Sequence, residues 1–450
     1  MKKKTRQIGI FIAISATITG CLTKSLWSLP LPTSGDVLDS RTLFVDDAGN
    51  SFVLDTAKLS ANSNTIERVR LVDSGGKLQW DTLFPITPFE GAAGAKKEEE
   101  GVIYTDFAST QGLNFVQSVA RCEYTYSGSL FPNRICDKHR TDIYQITKDN
   151  QVSKKTIPVI GYYAKANNGN HVVIVDDVPG TDSEGQPAGV WGYDADAHLI
   201  WKYTYESDTA SLIPINKIVA LPNSIIAARG TDTNTPSYKL LALNPENGNQ
   251  NWMIEVPTSR IGALLKDTSG RLIVSDSVYH ADTNHYEYRV KSYAENGTVR
   301  WAHSTFEAGY SSIAPELVAT GNYVCYSYSE SPAILPKLAC LNANTGAVSI
   351  NINAPYPAQS SAGTNPAPFT NFDHTTLKAS ANGGVFMYSR GATNNSDEYI
   401  LVRINPANGQ PTSKAITSSA IYDAADGGGT QIRELLRNSN QLLLNNYQAN

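Results

Sequence analysis

The chain has 450 residues, 41% of them hydrophobic and 18% charged, with a formal charge of −5. With that length and apolar share the chain is long enough for a large core, and a single ring of repeats accounts for it better than several domains. The charge becomes −9 once Lys2, Lys3, Lys4 and Arg6 are set aside (−5 less four cations), and no basic stripe remains to follow a nucleic-acid backbone. The first element is a leader. Met1 to Arg6 is positive, Ile8 to Ile18 is apolar but too short to span a bilayer as a mature helix, and Ile18-Thr19-Gly20-Cys21 has the form of a lipobox. Residues 1–20 are therefore expected to be a cleaved signal peptide and Cys21 the lipidated first residue of the mature chain.

A turn followed by tryptophan then recurs: Gly76-Lys77-Leu78-Gln79-Trp80, Ala197-His198-Leu199-Ile200-Trp201, Gly248-Asn249-Gln250-Asn251-Trp252 and Gly297-Thr298-Val299-Arg300-Trp301. Trp201, Trp252 and Trp301 are 51 and 49 residues apart, the length of one four-stranded sheet. Before each turn lies an alternating strand, as in Tyr238 to Leu243, and an Asn/Asp/Pro/Gly cluster that reverses the chain. The hairpin recurs without Trp ahead of Ile350 and Ser413, and more weakly as Ile146 to Asn150 followed by Lys154. Upstream of each lies a second hairpin with a very short turn, such as Asn167-Asn168-Gly169-Asn170 or Thr268-Ser269-Gly270. Units begin near Thr42, Gly101, Gly161, Ile218, Ile261, Pro315 and Thr376. Beyond them Ile432 to Leu436 turns at Asn438-Ser439-Asn440 into Gln441 to Leu444, which reads as a lone first hairpin, while Leu26 to Pro30 around Trp27 reads as a stray Trp strand. The expectation is an all-β propeller of four-stranded antiparallel blades spanning 42–450, eight in number with seven as the alternative. Residues 21–41 then form the lipidated N-terminus, a linker and the closing strand, which pairs with the C-terminal strands and hides an open sheet edge.

The stretch from Leu243 to Trp252 resembles the repeat of the pyrroloquinoline-quinone-type propellers, and the resemblance spans residues 27–450. It implies that Trp27, Trp80, Trp201, Trp252 and Trp301 dock blade to blade. That family holds both quinone-dependent dehydrogenases and non-catalytic scaffolds. Within it, an N-terminal lipid anchor joined to a propeller is similar to the lipoprotein subunit of the outer-membrane β-barrel assembly machine. Leu22 is not the Asp that retains lipoproteins on the inner membrane in enteric-type bacteria, so the resemblance favours the outer membrane. The periplasmic side is preferred, with the cell surface as the alternative.

Cys122, Cys136, Cys325 and Cys340 fall two to a unit, between second and third strands, and are expected to form two local structural disulfides. The long connections also open on one face: Pro85 to Glu100, Glu123 to Thr141, Asp177 to Gly189, Gly230 to Pro236, Tyr279 to His285, Ser329 to Pro336, Asn353 to Thr375 and Gly391 to Asp397. Long loops on a rigid scaffold are where binding concentrates. Their aromatics, Phe89, Tyr124, Tyr126, Phe131, Tyr279, Tyr356, Phe369 and Phe372, are the partner-binding candidates, although each could equally pack its loop onto the ring. Lys96 to Glu100 reads as a solvated linker and Asp194-Ala195-Asp196 as turn chemistry. His280, Asp282 and His285 are the best metal candidates, but exposed loop histidines without further ligands are far commoner. No hydrolase, metalloprotease or nucleotide-binding motif occurs. The dehydrogenases hold their quinone beside a disulfide of adjacent cysteines, and no two cysteines here are adjacent. The expectation is thus a monomeric, non-enzymatic, lipid-anchored scaffold without cofactor, metal or nucleic acid, binding an envelope protein or peptide through its loop-rich face. The alternative is a propeller enzyme, quinone-dependent or a hydrolase or lyase, working in the central channel.

Overall fold

A computed structural model describes residues 24–31, 36–46, 48–58, 65–90, 97–108, 112–125, 133–175, 189–205, 217–230, 237–258, 260–283, 285–307, 317–329, 336–353, 375–380, 383–392, 397–417, 421–426, 431–438 and 441–448. Among them are eight four-stranded antiparallel sheets. Blade 1 is β2 (Asp36–Val45), β3 (Ser51–Lys58), β4 (Thr65–Val72) and β5 (Leu78–Phe84). Blade 2 is β6 (Lys97–Ala108), β7 (Gly112–Thr125), β8 (Asn133–Ile146) and β9 (Val152–Ile157). Blade 3 is β10 (Gly161–Lys165), β11 (His171–Val175), β12 (Gly189–Tyr193) and β13 (Leu199–Thr204). Blade 4 is β14 (Lys217–Ala220), β15 (Ile225–Gly230), β16 (Ser237–Leu243) and β17 (Gln250–Pro257). Blade 5 is β18 (Arg260–Lys266), β19 (Leu272–His280), β20 (His285–Tyr293) and β21 (Val299–Glu307). Blade 6 is β22 (Leu317–Thr320), β23 (Tyr323–Ser329), β24 (Pro336–Asn342) and β25 (Val348–Asn353). Blade 7 is β26 (Thr375–Ala379), β27 (Val385–Ala392), β28 (Asp397–Ile404) and β29 (Pro411–Thr417).

Blade 8 joins both ends of the chain: β30 (Ile421–Asp426), β31 (Gln431–Asn438), β32 (Gln441–Gln448) and, as its fourth strand, β1 (Lys24–Leu31). The eight-bladed reading therefore holds, with a correction. The hairpin from Ile432 to Leu444 supplies the second and third strands, and the first is Ile421–Asp426, which the sequence reading passed over. Blade 1 likewise starts at Asp36, inside the expected linker. The first strands of successive blades adjoin from β6 through β10, β14, β18 and β22 to β26, and β2 meets β30, so the chain closes on itself. Apolar side chains from neighbouring sheets share the cores. Phe52 and Leu71 of blade 1 pack with Phe115 and Tyr144 of blade 2, and Leu435 and Leu444 of blade 8 pack with Val53 and Val72 of blade 1.

Within a blade the turns follow one chemistry. An Asp carboxylate accepts backbone N–H groups two and four residues on, as at Asp73 with Gly75 and Lys77 and at Asp194 with Asp196 and His198, and an Asn amide oxygen accepts the N–H two residues on, as at Asn244 with Glu246. This confirms Asp194 to Asp196 as a turn. Two blades also hold a buried Asp against two cations of the next strand, Asp55 with Arg68 and Arg70, and Asp276 with Arg289 and Lys291. They sit at matching register, since Asp55 pairs with Arg68 and Asp276 with Arg289.

Candidate functional site

The meander order gives the ring two unlike faces. Turns between first and second strands and between third and fourth strands open on one face; second-to-third connections and blade-to-blade links open on the other. On the first face the turns are tight, and at five of the eight blade junctions a tryptophan welds one blade to the next. Trp27, Trp80, Trp201, Trp252 and Trp301 donate their indole N–H to the backbone carbonyls of Ser74, Lys148, Pro245, Glu295 and Ala343, at 3.2, 2.8, 3.1, 2.6 and 3.0 Å. Each acceptor lies in the third-to-fourth-strand turn of the next blade. In four of these turns a glycine lets the ring in, as at Gly248, where φ is +72° and a Cβ would stand 2.5 Å from the Trp201 ring, while the turn that receives Trp80 has Asn150 at this position, at φ +61°. Blade 7 has Ser413 at the tryptophan position, paired with Arg403, and the next blade has no such turn because β32 and β1 are the two ends of the chain.

Blade 2 departs from the pattern. In blades 1, 3, 4 and 5 a register shift precedes the tryptophan, whereas β8 and β9 pair without one. Ser153 consequently takes the tryptophan's place, opposite Gln145, where the sequence reading expected Lys154. Lys154 points elsewhere, with its ammonium 2.9 Å from Asp142 and 5.4 Å from the centre of the Tyr144 ring.

On the opposite face the long connections 176–188, 206–216, 231–236, 308–316, 330–335, 354–374 and 393–396 lie outside the described residues. So do Cys21, Tyr126, Phe131, Tyr356, Phe369 and Phe372; Tyr124 falls in β7, with its side chain outside the described set. Several expected loops prove to be strand. Glu123 to Thr141 is mostly β7 and β8, Lys97 to Glu100 belongs to β6 and not to a linker, and Tyr279 to His285 shrinks to the four residues between β19 and β20. Strands β7 and β8 run 14 residues each, against 7 in β16, so at about 3.3 Å per residue blade 2 stands up to roughly 20 Å above the loop-rich face. Cys122 and Cys136 face each other across this hairpin in a disulfide, and Arg121 clasps Asp137 beside it at 2.5 Å. The second disulfide, Cys325–Cys340, ties β23 to β24. Both pairings match the sequence expectation.

Of the aromatic candidates with described side chains, Phe89 is committed to the ring: the Arg140 guanidinium lies 4.5 Å over it, and Arg140 also donates to the Thr87 carbonyl. Tyr279 is 43% exposed and packs against Tyr286 with ring centres 5.1 Å apart. His280 Nε2 meets Glu287 at 3.1 Å, and among the described residues no three His, Cys, Asp or Glu side chains converge as a metal site.

With this geometry established, the fold and repeat define a propeller of pyrroloquinoline-quinone-type repeats. A family model described as outer membrane protein assembly factor BamB matches residues 163–351, which are blades 3 to 6. No curated protein matches the chain. Solved structures similar to it include the β-propeller domain of the trilobed protease from Pyrococcus furiosus, at 7% identity over 93% of this chain and 98% of that one, with a TM-score of 0.41. The quinohemoprotein alcohol dehydrogenase of Comamonas testosteroni shows 13% identity over 55% of this chain and 41% of its own, with a TM-score of 0.34.

Proposed function

We propose that the protein is a lipid-anchored envelope scaffold that binds a protein or peptide partner through its loop-rich face without catalysing a reaction. The observation that carries this reading is the contrast between the faces. One is sealed by short turns and tryptophan latches, and the other carries the long connections and the stapled extension of blade 2. The match of blades 3 to 6 to an outer membrane protein assembly factor supports an envelope role, and two disulfides suit an oxidising compartment outside the cytoplasm. The anchor fits the same geometry. Lys24 pairs with Gln448, the last residue of β32, at the tight-turn face, while Leu31 pairs with Leu442 at the loop-rich face. A lipid on Cys21, three residues before Lys24, would hold the plain face toward the membrane and present the loop-rich face away from it.

Two experiments test this reading. Cys21→Ser is expected to release the protein from the membrane pellet, and retention after salt and carbonate washes would refute the anchor. Pull-down of the full-length protein from detergent-solubilised envelopes is expected to retain a partner that a variant lacking residues 126–132 loses; equal recovery by both would count against the blade 2 extension as part of the binding face.

A further inference from the structure

We propose that the junction of blades 2 and 3 is a binding slot for an aromatic carboxylate, either a free small molecule or the C-terminal Phe of a peptide. The repeats provide the comparison. At five junctions an indole fills the space between blades and donates to a turn carbonyl. At this junction Ser153 stands where the indole would, and a pocket of about 160 Å³ opens. A cavity of about 150 Å³ accepts a benzene ring, so the vacancy matches one aromatic ring and not the larger indole.

The walls set the chemistry of the occupant. Val116 and Ile143 contribute apolar surface for a ring. The turn carbonyl that accepts the indole elsewhere is here that of Ala195, and Lys155 occupies it, with its ammonium also 3.0 Å from Asp196. No indole donor is therefore required. Lys165 lines the same pocket and makes no ion pair among the described residues, which favours an anionic group at its mouth. Behind it His171 is 5% exposed, with Nδ1 2.6 Å from the Tyr163 hydroxyl, while Nε2 has no hydrogen-bond partner that meets bonding geometry. Burial keeps this imidazole neutral, its pKa pushed down to about 4, so the positive character of the slot comes from the lysines and not from His171.

The test is calorimetric titration of the full chain with benzoate, with N-acetyl-Gly-Phe, and with the C-terminal amide of that dipeptide. Benzoate or the free acid is expected to bind, the amide about tenfold or more weakly than the acid, and Lys165→Met is expected to weaken carboxylate binding by a similar factor. Tighter binding of the acid dipeptide than of benzoate would identify a peptide C-terminus as the occupant, and the reverse order a free small molecule. Ser153→Phe is expected to abolish binding by filling the slot with its own ring. Amide and acid binding alike, no heat from any probe at about 10 mM, or undiminished binding by a folded Ser153→Phe protein would each overturn the proposal.

Discussion

Replacing Trp201 by alanine tests how the blades are held together. The indole is 7% exposed, lies in a core formed with Val172, Ile174, Ile225 and Leu241, and donates to the Pro245 carbonyl at 3.1 Å. Truncating a buried Trp costs about 3–5 kcal/mol, and the freed carbonyl, on a surface turn that water reaches, adds at most about 1 kcal/mol. Trp201→Ala should therefore lose about 4 kcal/mol in urea titration, whereas Trp252→Ala, whose ring is only partly buried, should lose about half as much. Gly248→Ala should also be destabilising, because the new methyl group meets the Trp201 ring and the backbone is left-handed there. In the double variant the clash disappears, so the two losses should add to less than their sum. A Trp201→Ala protein within about 1 kcal/mol of wild type, or strict additivity with Gly248→Ala, would refute the latch.

Further outcomes follow from the same geometry. Deleting residues 431–450 removes β31 and β32 and leaves β1 and β30 unpaired, so the ring should open, with a lowered melting temperature and self-association by gel filtration; a monomer with wild-type melting would contradict closure. Non-reducing peptide mapping should recover Cys122 with Cys136 and Cys325 with Cys340, and removing the second pair should cost about 3 kcal/mol for its 15-residue separation; unchanged stability would show that β23 and β24 need no staple. Burial lowers His171 from 6.5 to about 4, so the unfolded chain takes up this proton first as the medium acidifies. The neutral imidazole's stabilisation is full above pH 6.5 and declines toward pH 4, by an amount on the order of 3 kcal/mol. His171→Gln should flatten that part of the stability profile, and an unaltered slope would show that the ring is hydrated in the folded state.

The ring was legible because its signals are local. A turn and a tryptophan four residues on are contiguous in sequence, and the seven units read from Thr42 to Thr376 begin within six residues of the expected places. What escaped notice depends on distant pairing. Lys97 to Glu100 looks like a solvated charge run, and becomes strand because β7 lies beside it. Glu123 to Thr141 looks like a loop carrying Cys136, yet Cys136 and Cys122 staple two long strands. Ile421–Asp426 is short and half polar, and its place as the first strand of blade 8 follows from its pairing with β31. Ser153 took the tryptophan position through a missing register shift that no single residue announces. Among the binding candidates, Phe89 was indistinguishable from Tyr279 in sequence, because only the placement of Arg140 commits one to the ring.

Site-specific photocrosslinking in intact envelopes shows whether a partner is held by the loop-rich face. A crosslinker is placed singly at Tyr279 or Asp282 on that face, and at Asn223 or Asn247 in the tight turns of the other; all four side chains are exposed. Adducts with one discrete partner from Tyr279 or Asp282, and none from Asn223 or Asn247, are the expected result. Adducts confined to Asn223 and Asn247 would place the partner on the plain face and refute a binding role for the loop-rich one.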